Sequence, residues 1–384
     1  MDETNYTLSN GTLTIHEGVK KIPTNAFKER SEFQTVIFPN SLRVIGKRAF
    51  CACTNLNYVE TNTKLKVIDI GAFQNCFNLL SFNIPKNVYF IGRSAFNCCY
   101  KLESPIVIPQ KINILEESVF FNCKRLPSIK LPSKLLIIKK LAFFGCSNVS
   151  SFSIPETVVK IGMFAFCHCS KINEIVLPPN VESIYESAFS SCINLRRITI
   201  PSKVTVIERS TFLNCERLEE VVLSSQTEKI ISSAFSGCKM LRKINLPDTL
   251  LKIGSYAFSY CLALTEIKIP QYLQKISEYA FSHCINLEIV HFPDVEIPRI
   301  HEHAFNNCDR IIIRRFTEKK YGELLPEEIK FDADCCPISR DVFQKDMPII
   351  ILKCGHVFKK ESLLEWIKIR NICPYCRKYI GFSV

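Results

Sequence analysis

A phenylalanine recurs along most of the chain, and its spacing constrains the fold more than any other feature. The step is 23 residues in ten of its twelve intervals and 24 in the other two, and Ala precedes the phenylalanine in 11 of 13 copies. The recurring positions are Phe27, Phe50, Phe73, Phe96, Phe120, Phe143, Phe166, Phe189, Phe212, Phe235, Phe258, Phe281 and Phe305. A unit this short cannot bury an apolar face alone, so the period predicts a solenoid in which stacked copies share one core.

A cysteine follows each recurring phenylalanine by three residues in twelve of the thirteen copies, and Arg30 is the exception. This cysteine column consists of Cys53, Cys76, Cys99, Cys123, Cys146, Cys169, Cys192, Cys215, Cys238, Cys261, Cys284 and Cys308. A small, weakly polar side chain suits a buried position that stacks along a solenoid. The alternative is a redox or metal ladder, which a column of single residues disfavours because metal binding needs converging ligands.

Each unit contains two apolar segments that predict short strands. The first alternates and ends at proline, as in LTEIKIP, and the second precedes the phenylalanine, as in LLKIGSYAF. Alternation followed by Pro is typical of a short strand with a hard stop. This order of Leu, Ile, Ala-Phe, Cys, Leu and Ile-Pro resembles the BspA-type leucine-rich repeat over roughly residues 8–316. The resemblance implies a β-rich leucine-rich-repeat solenoid of 13 repeats, and we assign residues 1–316 to it.

Composition and termini indicate a protein of the cell interior. The chain has 384 residues, twenty of them cysteine, and its net charge of +12 is spread without a polybasic run. The start, MDETNYTLSN, lacks the basic and apolar segments of a secretory signal, and no apolar run reaches the roughly 18 residues that span a bilayer. We therefore expect reduced thiols, a cytoplasmic or nuclear location, no membrane span and no nucleic-acid partner.

One variable column on the first strands suggests where a partner binds. In the first twelve repeats the residue nine positions after the phenylalanine, or ten positions after Phe96, is apolar, whereas the residue before it varies freely. Because side chains alternate along a strand, the variable column faces outward. Its charged stretch is Glu174, Arg197, Glu220, Lys243 and Glu266. We expect these residues to bind a protein substrate, and the alternative is a solvated surface of cross-strand ion pairs.

After Phe316 the period stops and a different domain begins. Residues 317–330 are a charged linker or cap, and residues 331–384 form the second domain. Within it, Cys354-Gly-His356 and Cys373-Pro-Tyr-Cys376 are separated by 16 residues, with a predicted amphipathic helix, KESLLEWIKI, between them. Two close pairs of soft ligands predict a tetrahedral site for one zinc ion, held by Cys354, His356, Cys373 and Cys376. The alternative is a domain that folds without metal around buried thiols.

The segments CPIS, CGHVF and CPYCR resemble the RING and U-box families of ubiquitin ligases. A full RING domain would bind a second zinc ion, but Ser339, Lys359 and Ser362 occupy three of its ligand positions and leave only Cys336. The resemblance therefore implies a single zinc ion, with hydrogen bonds or an ion pair in place of the first, as in U-boxes. The pattern is also similar to the SP-RING domains of SUMO ligases.

The resemblance implies an E3 ubiquitin ligase that forms no covalent intermediate. It implies that Ile338, Trp366 and Pro374 form an apolar surface for a charged E2 conjugating enzyme, and that Arg377 bridges ubiquitin and that enzyme. The partners are then the E2 enzyme, ubiquitin and an unknown protein substrate. The alternative is a non-catalytic interaction or surface adhesion protein whose zinc module is structural. In that case Trp366 packs in the core and Arg377 is an ordinary solvated charge.

Overall fold

The computed structural model describes residues 2–293, 298–308, 310–314, 316–320, 335–352, 356–369, 372–375 and 377. Within these ranges, a 3-10 helix at Glu3–Asn5 precedes two rows of short strands. The first row comprises β1 (Tyr6–Ser9), β2 (Thr12–Ile15), β4 (Thr35–Ile37), β6 (Tyr58–Glu60), β8 (Ser81–Phe82), β10 (Ile106–Val107), β12 (Ile129–Lys130), β14 (Ser151–Ser153), β16 (Glu174–Val176), β18 (Arg197–Thr199), β20 (Glu220–Val222), β22 (Lys243–Ile244), β24 (Glu266–Lys268), β26 (Ile289–His291) and β28 (Ile312–Arg314). The second row comprises β3 (Lys21–Ile22), β5 (Val44–Ile45), β7 (Val67–Ile68), β9 (Phe90–Ile91), β11 (Ile114–Leu115), β13 (Ile137–Ile138), β15 (Lys160–Ile161), β17 (Ser183–Ile184), β19 (Val206–Ile207), β21 (Lys229–Ile230), β23 (Lys252–Ile253), β25 (Lys275–Ile276) and β27 (Arg299–Ile300).

The repeats stack in register, as the sequence period predicts. Val36 of β4 lies opposite Val59 of β6, and Lys229 of β21 lies opposite Lys252 of β23, so parallel partners are 23 residues apart. The strands of both rows are parallel, except that β1 and β2 form an antiparallel hairpin at the N-terminal end. The predicted solenoid is confirmed, and its two strands per repeat correspond to the two apolar segments.

The thirteen recurring phenylalanines form one continuous stack of rings in the core. Successive ring centroids are separated by 5.1 to 6.0 Å, from Phe258–Phe281 to Phe120–Phe143. Phe166, for example, is fully buried and lies between Phe143 and Phe189 at 5.4 and 5.3 Å. Each ring therefore packs mainly against its own equivalents, which explains why all thirteen copies have phenylalanine at this position.

All twelve members of the cysteine column are buried, which confirms the structural prediction, and each also makes a hydrogen bond that the sequence does not reveal. Its thiol donates to the carbonyl oxygen of the phenylalanine in the preceding repeat, as Cys192 does to Phe166 at 3.2 Å. The equivalent distances range from 3.0 Å for Cys53 to 3.4 Å for Cys261. The column therefore connects neighbouring repeats, and all eighteen described cysteines are free of disulfides.

The turns around twelve of the thirteen phenylalanines contain residues in the left-handed region two positions before and two positions after the ring, and around Phe305 only Asn307 adopts it. Around Phe258 these are Tyr256 and Tyr260, with φ of 59° and 60°. Backbone N–H groups of both residues donate to the next repeat, to Glu278 and Ser282 at 3.1 and 2.9 Å. Hydrogen bonds between repeats thus continue through the turn and stabilise a conformation that is costly for an isolated non-glycine residue.

The first repeat is closed by the residue that interrupts the cysteine column. The Arg30 guanidinium donates to the hydroxyl of Tyr6 at 3.2 Å and lies over the rings of Tyr6 and Phe27 at 5.7 Å. Tyr6 packs edge-on against Phe27 with ring centroids 5.2 Å apart. Because no preceding repeat supplies a carbonyl acceptor here, Arg30 and the β1–β2 hairpin cap the stack of rings.

The C-terminal domain contains a three-stranded antiparallel sheet and one helix, namely β29 (Phe316–Lys320), β30 (Pro348–Leu352), β31 (Val357–Lys359) and α1 (Lys360–Ile369). The helix has the bounds of the predicted segment KESLLEWIKI. Strand β29 pairs with β30 and includes the first four residues of the predicted linker 317–330, whose remainder lies outside the described residues. Among the described residues, no helix is long and apolar enough to cross a membrane.

Candidate functional site

Two loops of the C-terminal domain have the same sequence pattern and the same turn. Cys336 and Cys373 each begin a C-P-x-x-R segment, CPISR and CPYCR. In both turns the arginine N–H donates to the cysteine carbonyl, from Arg340 at 2.8 Å and from Arg377 at 2.9 Å. Both arginines adopt the left-handed backbone conformation, with φ of 62° and 57°. The first loop therefore keeps the turn of the second although Ser339 occupies the position of the second loop's last predicted ligand.

The Cys336 sulfur is fully buried and accepts hydrogen bonds in this first loop. The backbone N–H of Lys359 donates to it at 3.3 Å. Burial raises the pKa of the Cys336 thiol, but hydrogen bonds from the Ser339 hydroxyl and from the backbone N–H groups of Ser339, Lys359 and Ile338 outweigh it and leave that pKa below its ordinary value. The first loop and β31 thus both donate hydrogen bonds to one sulfur atom, and these bonds stabilise its thiolate form.

An ion pair closes the same loop from the other side. The Lys359 ammonium donates to Asp341 at 3.0 Å and lies 4.0 Å from Glu361. Hydrogen bonds from the side chains of Lys359 and Ser339 lower the pKa of Asp341, and Asp341 in turn raises the pKa of Lys359. Asp341 was not singled out from the sequence. The repeated C-P-x-x-R pattern could have located it, because Asp341 directly follows the arginine of the first loop.

Of the four predicted zinc ligands, His356 and Cys373 lie within the described residues, whereas Cys354 and Cys376 lie outside them. His356 and Cys373 are buried, and the Cys373 sulfur is 3.7 Å from Nδ1 of His356. Two ligands of one tetrahedral zinc ion, with Zn–S about 2.3 Å and Zn–N about 2.0 Å, are separated by roughly 3.6 Å. The two described ligands therefore fit a shared zinc ion. No cluster of three or more metal-ligating side chains occurs within the described residues.

The predicted recruiting residues lie on or beside the two loops. Ile338 is half-buried and packs against the domain core, and Pro374 of the second loop is also half-buried. Trp366 of α1 is half-buried, and its indole N–H donates to the carbonyl of Ile372 at 3.0 Å. Arg377 is exposed. Helix α1 is thus tied by Trp366 to the residue before Cys373, which couples the helix to the second loop.

On the solenoid, the predicted binding column forms ion pairs along the first row. Glu220 lies 2.9 Å from Arg197 and 3.6 Å from Lys243, and Glu266 lies 2.7 Å from His291. Glu174 is aligned with Arg197 in the strand register. The cross-strand pairing that the sequence left as an alternative is therefore present for Arg197, Glu220 and Lys243. Exposed pairs of this kind contribute about 0–1 kcal/mol each, so they leave the charges available to a partner.

Four residues of that column also line a groove of about 770 Å³ on the first row, and Glu266 is not among them. The groove lining includes Val176, which is 70% exposed, and Val222, which is 43% exposed, lies outside the lining on the same row of strands. Thr199 of β18 lies between these valines in the strand register. The groove thus combines paired charges with exposed apolar side chains, which is the mixed surface that protein partners bind.

The repeats and the C-terminal loops each match a known family. The model of the BspA type leucine rich repeat region matches in six copies that span residues 4–126, 90–219 and 206–320. This chain belongs to that family. The Ring finger domain matches residues 334–377, which contain both C-P-x-x-R loops. The class defined by fold and site is thus a BspA-type leucine-rich-repeat protein with a C-terminal RING finger, and RING finger domains bind zinc.

Similar proteins include plant ubiquitin ligases. "Probable E3 ubiquitin-protein ligase RHB1A" of Arabidopsis thaliana is 39% identical over 52 residues, which are 14% of this chain and 27% of that protein. E3 ubiquitin-protein ligase AIRP1 of the same plant is 33% identical over 61 residues, 16% of this chain and 35% of that protein. The chain therefore spans only about a quarter to a third of the length of these two curated relatives.

Solved structures with a similar fold cover the solenoid. A leucine-rich repeat protein from Bacteroides ovatus aligns with 81% of this chain and 98% of its own, at 24% identity and a TM-score of 0.57. The pneumococcal vaccine antigen PcpA aligns with 82% of this chain and 92% of its own, at 14% identity and a TM-score of 0.51. These likenesses concern the fold alone.

Proposed function

We propose that this protein is an E3 ubiquitin ligase whose RING finger recruits a charged E2 conjugating enzyme and whose solenoid binds the protein to be modified. The observation that carries the proposal is the matched pair of C-P-x-x-R loops, of which the first contains Ile338 and the second contains Pro374. Similarity to E3 ubiquitin-protein ligases supports it. Such a domain needs no nucleophile, because it accelerates transfer by holding the charged enzyme in a reactive orientation.

We assign one zinc ion to the domain, held by Cys354, His356, Cys373 and Cys376. The ion would fix the second loop and the start of β31 through these four side chains. The first loop is fixed by the domain's own residues instead: the Cys336 sulfur accepts from the Lys359 backbone, and the Lys359 ammonium pairs with Asp341. In this proposal Cys336, Asp341 and Lys359 are positioning residues, because they hold Ile338 without contacting the E2 enzyme.

The groove on the first row is the proposed substrate site. Its lining includes Glu174, Arg197, Glu220 and Lys243, and the exposed Val176 and Val222 would supply apolar contact. Ion pairs already formed within the groove lower the cost of ordering those side chains on binding. Glu266, which lies outside the groove lining and pairs with His291, would contribute least.

A reconstituted conjugation reaction tests the ligase function. The full chain is mixed with activating enzyme, a panel of E2 enzymes, ubiquitin and ATP, and we expect self-modification or free chains with at least one E2 enzyme. Ile338→Ala should abolish this, since it truncates the proposed docking surface. Val342→Ala is the matched control, because Val342 is an exposed apolar residue of the same domain with 68% accessibility that lies outside that surface.

A second pair of variants separates docking from transfer. Arg377→Ala should slow discharge of ubiquitin from the E2 enzyme while E2 binding persists, because Arg377 is proposed to bridge the two proteins. Arg340→Ala is its control, since Arg340 occupies the same left-handed position in the first loop. No product with any E2 enzyme, or product only with SUMO components, would overturn the ubiquitin assignment.

The substrate site is tested in the same reaction with the source cell extract added. Val176→Asp combined with Val222→Asp should reduce ubiquitin transfer to extract proteins, because it places one charge in the lining of the groove and a second charge on the exposed strand surface beside it. Self-modification should not change, since the C-terminal domain is untouched. Unaltered transfer to extract proteins by this variant would exclude the groove as the substrate site.

A further inference from the structure

The second row of strands contains a column of four like charges at the C-terminal end of the solenoid. Lys229, Lys252, Lys275 and Arg299 lie directly opposite one another in β21, β23, β25 and β27. All four side chains are exposed. Because neighbouring strands are about 4.8 Å apart, the four cations follow a straight line roughly 14 Å long. We call this set the cationic column.

In the described part of the chain, the positive charges of the cationic column are not balanced by neighbouring carboxylates, as the charges on the first row are. There the charges alternate in sign, and Glu220 bridges Arg197 and Lys243. Within the described residues, none of the four cations forms an ion pair, although Glu228 and Glu278 are close in sequence. Like charges opposite one another on a sheet are destabilising, so the cationic column does not serve the fold.

In the other nine described second-row strands this position is a cation only in β3, at Lys21, and in β15, at Lys160, so the solenoid does not require a cation there. Val44, Val67, Ile114 and Ile137 occupy it in earlier repeats, each as the first residue of its second-row strand. Lys160 is an isolated cation at this position, with Ile137 and Ser183 as its strand neighbours. The run of four consecutive cations is thus a local departure from the pattern.

We propose that the cationic column is a docking surface for a protein segment that forms an acidic helix, with one carboxylate per turn facing the solenoid. Successive turns of a helix are 5.4 Å apart, which is close to the strand spacing of about 4.8 Å, and the flexible lysine stems absorb the difference. In an extended segment, side chains on one face repeat about every 6.7 Å and lose register with the cations within two steps.

Neighbouring rings argue against a nucleic acid as the occupant. Tyr256, Tyr279 and His303 follow the cations by four residues, and their rings stack on one another at 5.0 and 5.4 Å. Ring faces occupied in this way are not available to bases, which bind single strands by stacking. A single file of four cations also offers fewer phosphate contacts than the six to ten typical of nucleic-acid binding.

Peptide binding to the full chain tests the proposal independently of ligase activity. Two labelled helical peptides of identical composition are compared by fluorescence anisotropy at low salt, one with a Glu on the same face at every turn and one with its Glu residues dispersed around the helix. We expect the first peptide to bind at least about tenfold more tightly, with affinity falling as salt rises. Equal affinity, or no binding of either peptide, would overturn the proposal.

The double variant Lys252→Glu/Lys275→Glu should lower the affinity for the one-face peptide by at least about tenfold, because it reverses the two central charges. Lys160→Glu is the matched control, since it makes the same change at the same strand position outside the cationic column. Circular dichroism establishes that both variants are folded. An equal loss in the control, or displacement of the bound peptide by single-stranded RNA at equal charge concentration, would refute the assignment.

Discussion

The solenoid and the C-terminal domain use cysteine in opposite ways. In the solenoid, twelve cysteines are buried, protonated hydrogen-bond donors, and burial raises the pKa of Cys146 to about 12. In the C-terminal domain, the sulfur of Cys336 accepts hydrogen bonds and has a lowered pKa, and Cys373 lies 3.7 Å from a histidine ring nitrogen. The local supply of donors and acceptors, rather than the residue type, therefore decides the chemistry of each thiol.

The difference reflects how the two parts obtain their stability. In the solenoid every repeat after the first adds another phenylalanine ring and another thiol to the shared core, which extends through the stack. Within the described residues, the core of the C-terminal domain contains eight buried residues, among them Cys336, Phe358 and Cys373. A core of this size rarely stabilises a domain without a staple, and in the proposed function the zinc ion and a few hydrogen bonds would supply the stability that packing does not.

Removal of the metal should produce the largest loss of stability, and this loss should be confined to the C-terminal domain. His356→Ala, or treatment with a chelator, is expected to unfold the C-terminal domain, because structural zinc binding in small domains contributes about 10–16 kcal/mol. Hydrogen exchange should show loss of protection in β30 and α1 while the solenoid strands stay protected. Cys335→Ser, at an exposed cysteine, is the control. Zinc analysis of the purified protein should give one ion, and a value near two or near zero would contradict the assignment.

High pH should destabilise the solenoid selectively. Burial raises the pKa of the column thiols, to about 12 for Cys53 and for Cys146, so they stay protonated in the folded state after unfolded thiols have ionised. Stability is therefore complete below the unfolded thiol pKa and falls as pH rises toward the folded values. The loss should be about 1.4 kcal/mol per pH unit for each thiol that unfolding exposes.

Chemical denaturation between pH 8 and 11 measures this slope. Cys192→Ala should reduce it by the share of one thiol, because its sulfur is removed from the buried column. Cys335→Ala should leave it unchanged, since Cys335 belongs to the other domain. If the fall in the free energy of unfolding with pH were the same for Cys192→Ala as for the wild type, the column thiols would not control the alkaline stability.

Truncation of one phenylalanine ring should lower the free energy of unfolding by less than the ionisation of all the column thiols at high pH. Phe166→Ala removes a fully buried ring from between Phe143 and Phe189, and we expect a loss of about 3–5 kcal/mol in the free energy of unfolding. Phe90→Ala is the control, since Phe90 is 38% exposed on a strand. Equal losses in urea titrations of the two variants would show that the stack of rings contributes nothing beyond simple burial.

Disruption of the ion pair between Lys359 and Asp341 in the first loop should produce the smallest loss of stability. The lowered pKa of Asp341 means that its contribution is present above the ordinary aspartate range and is lost as pH falls through the folded value. Asp341→Asn should therefore remove a small acid-dependent part of the thermal stability of the C-terminal domain. Glu361→Gln, 4.0 Å from the same lysine, should change it less. Identical acid profiles for wild type and Asp341→Asn would exclude the ion pair as a support of the loop.

The parts that sequence predicts well are those repeated many times. Thirteen copies make the phenylalanine and cysteine positions unmistakable, and the amphipathic pattern gives the helix from Lys360 to Ile369. The positions of the left-handed turn residues cannot be predicted from residue type, since residues as different as Tyr256 and Leu141 adopt the same backbone conformation. Hydrogen bonds between repeats, not side-chain preference, hold them there.

Features that depend on one contact between distant segments could not be predicted. The sequence around Arg30 does not predict that its guanidinium lies over the ring of Tyr6, 24 residues earlier in the chain. The bond from the Lys359 backbone to the Cys336 sulfur is of the same kind, because it depends on where β31 meets the first loop. The four zinc ligands stay predictions, although the distance between His356 and Cys373 fits a shared ion. The roles of Ile338, Trp366, Pro374 and Arg377 also stay predictions.

The cap formed by Arg30 and Tyr6 has a consequence for how the chain finds its native alignment. If two neighbouring repeats slipped past each other by 23 residues, almost every ring and thiol would meet an equivalent partner, so the repeats themselves barely distinguish the correct pairing from a shifted one. The cap and the interval of 24 residues between Phe96 and Phe120, where both rows of strands are interrupted, have no equivalents in the repeats beside them. These exceptions break the degeneracy and specify which repeat pairs with which.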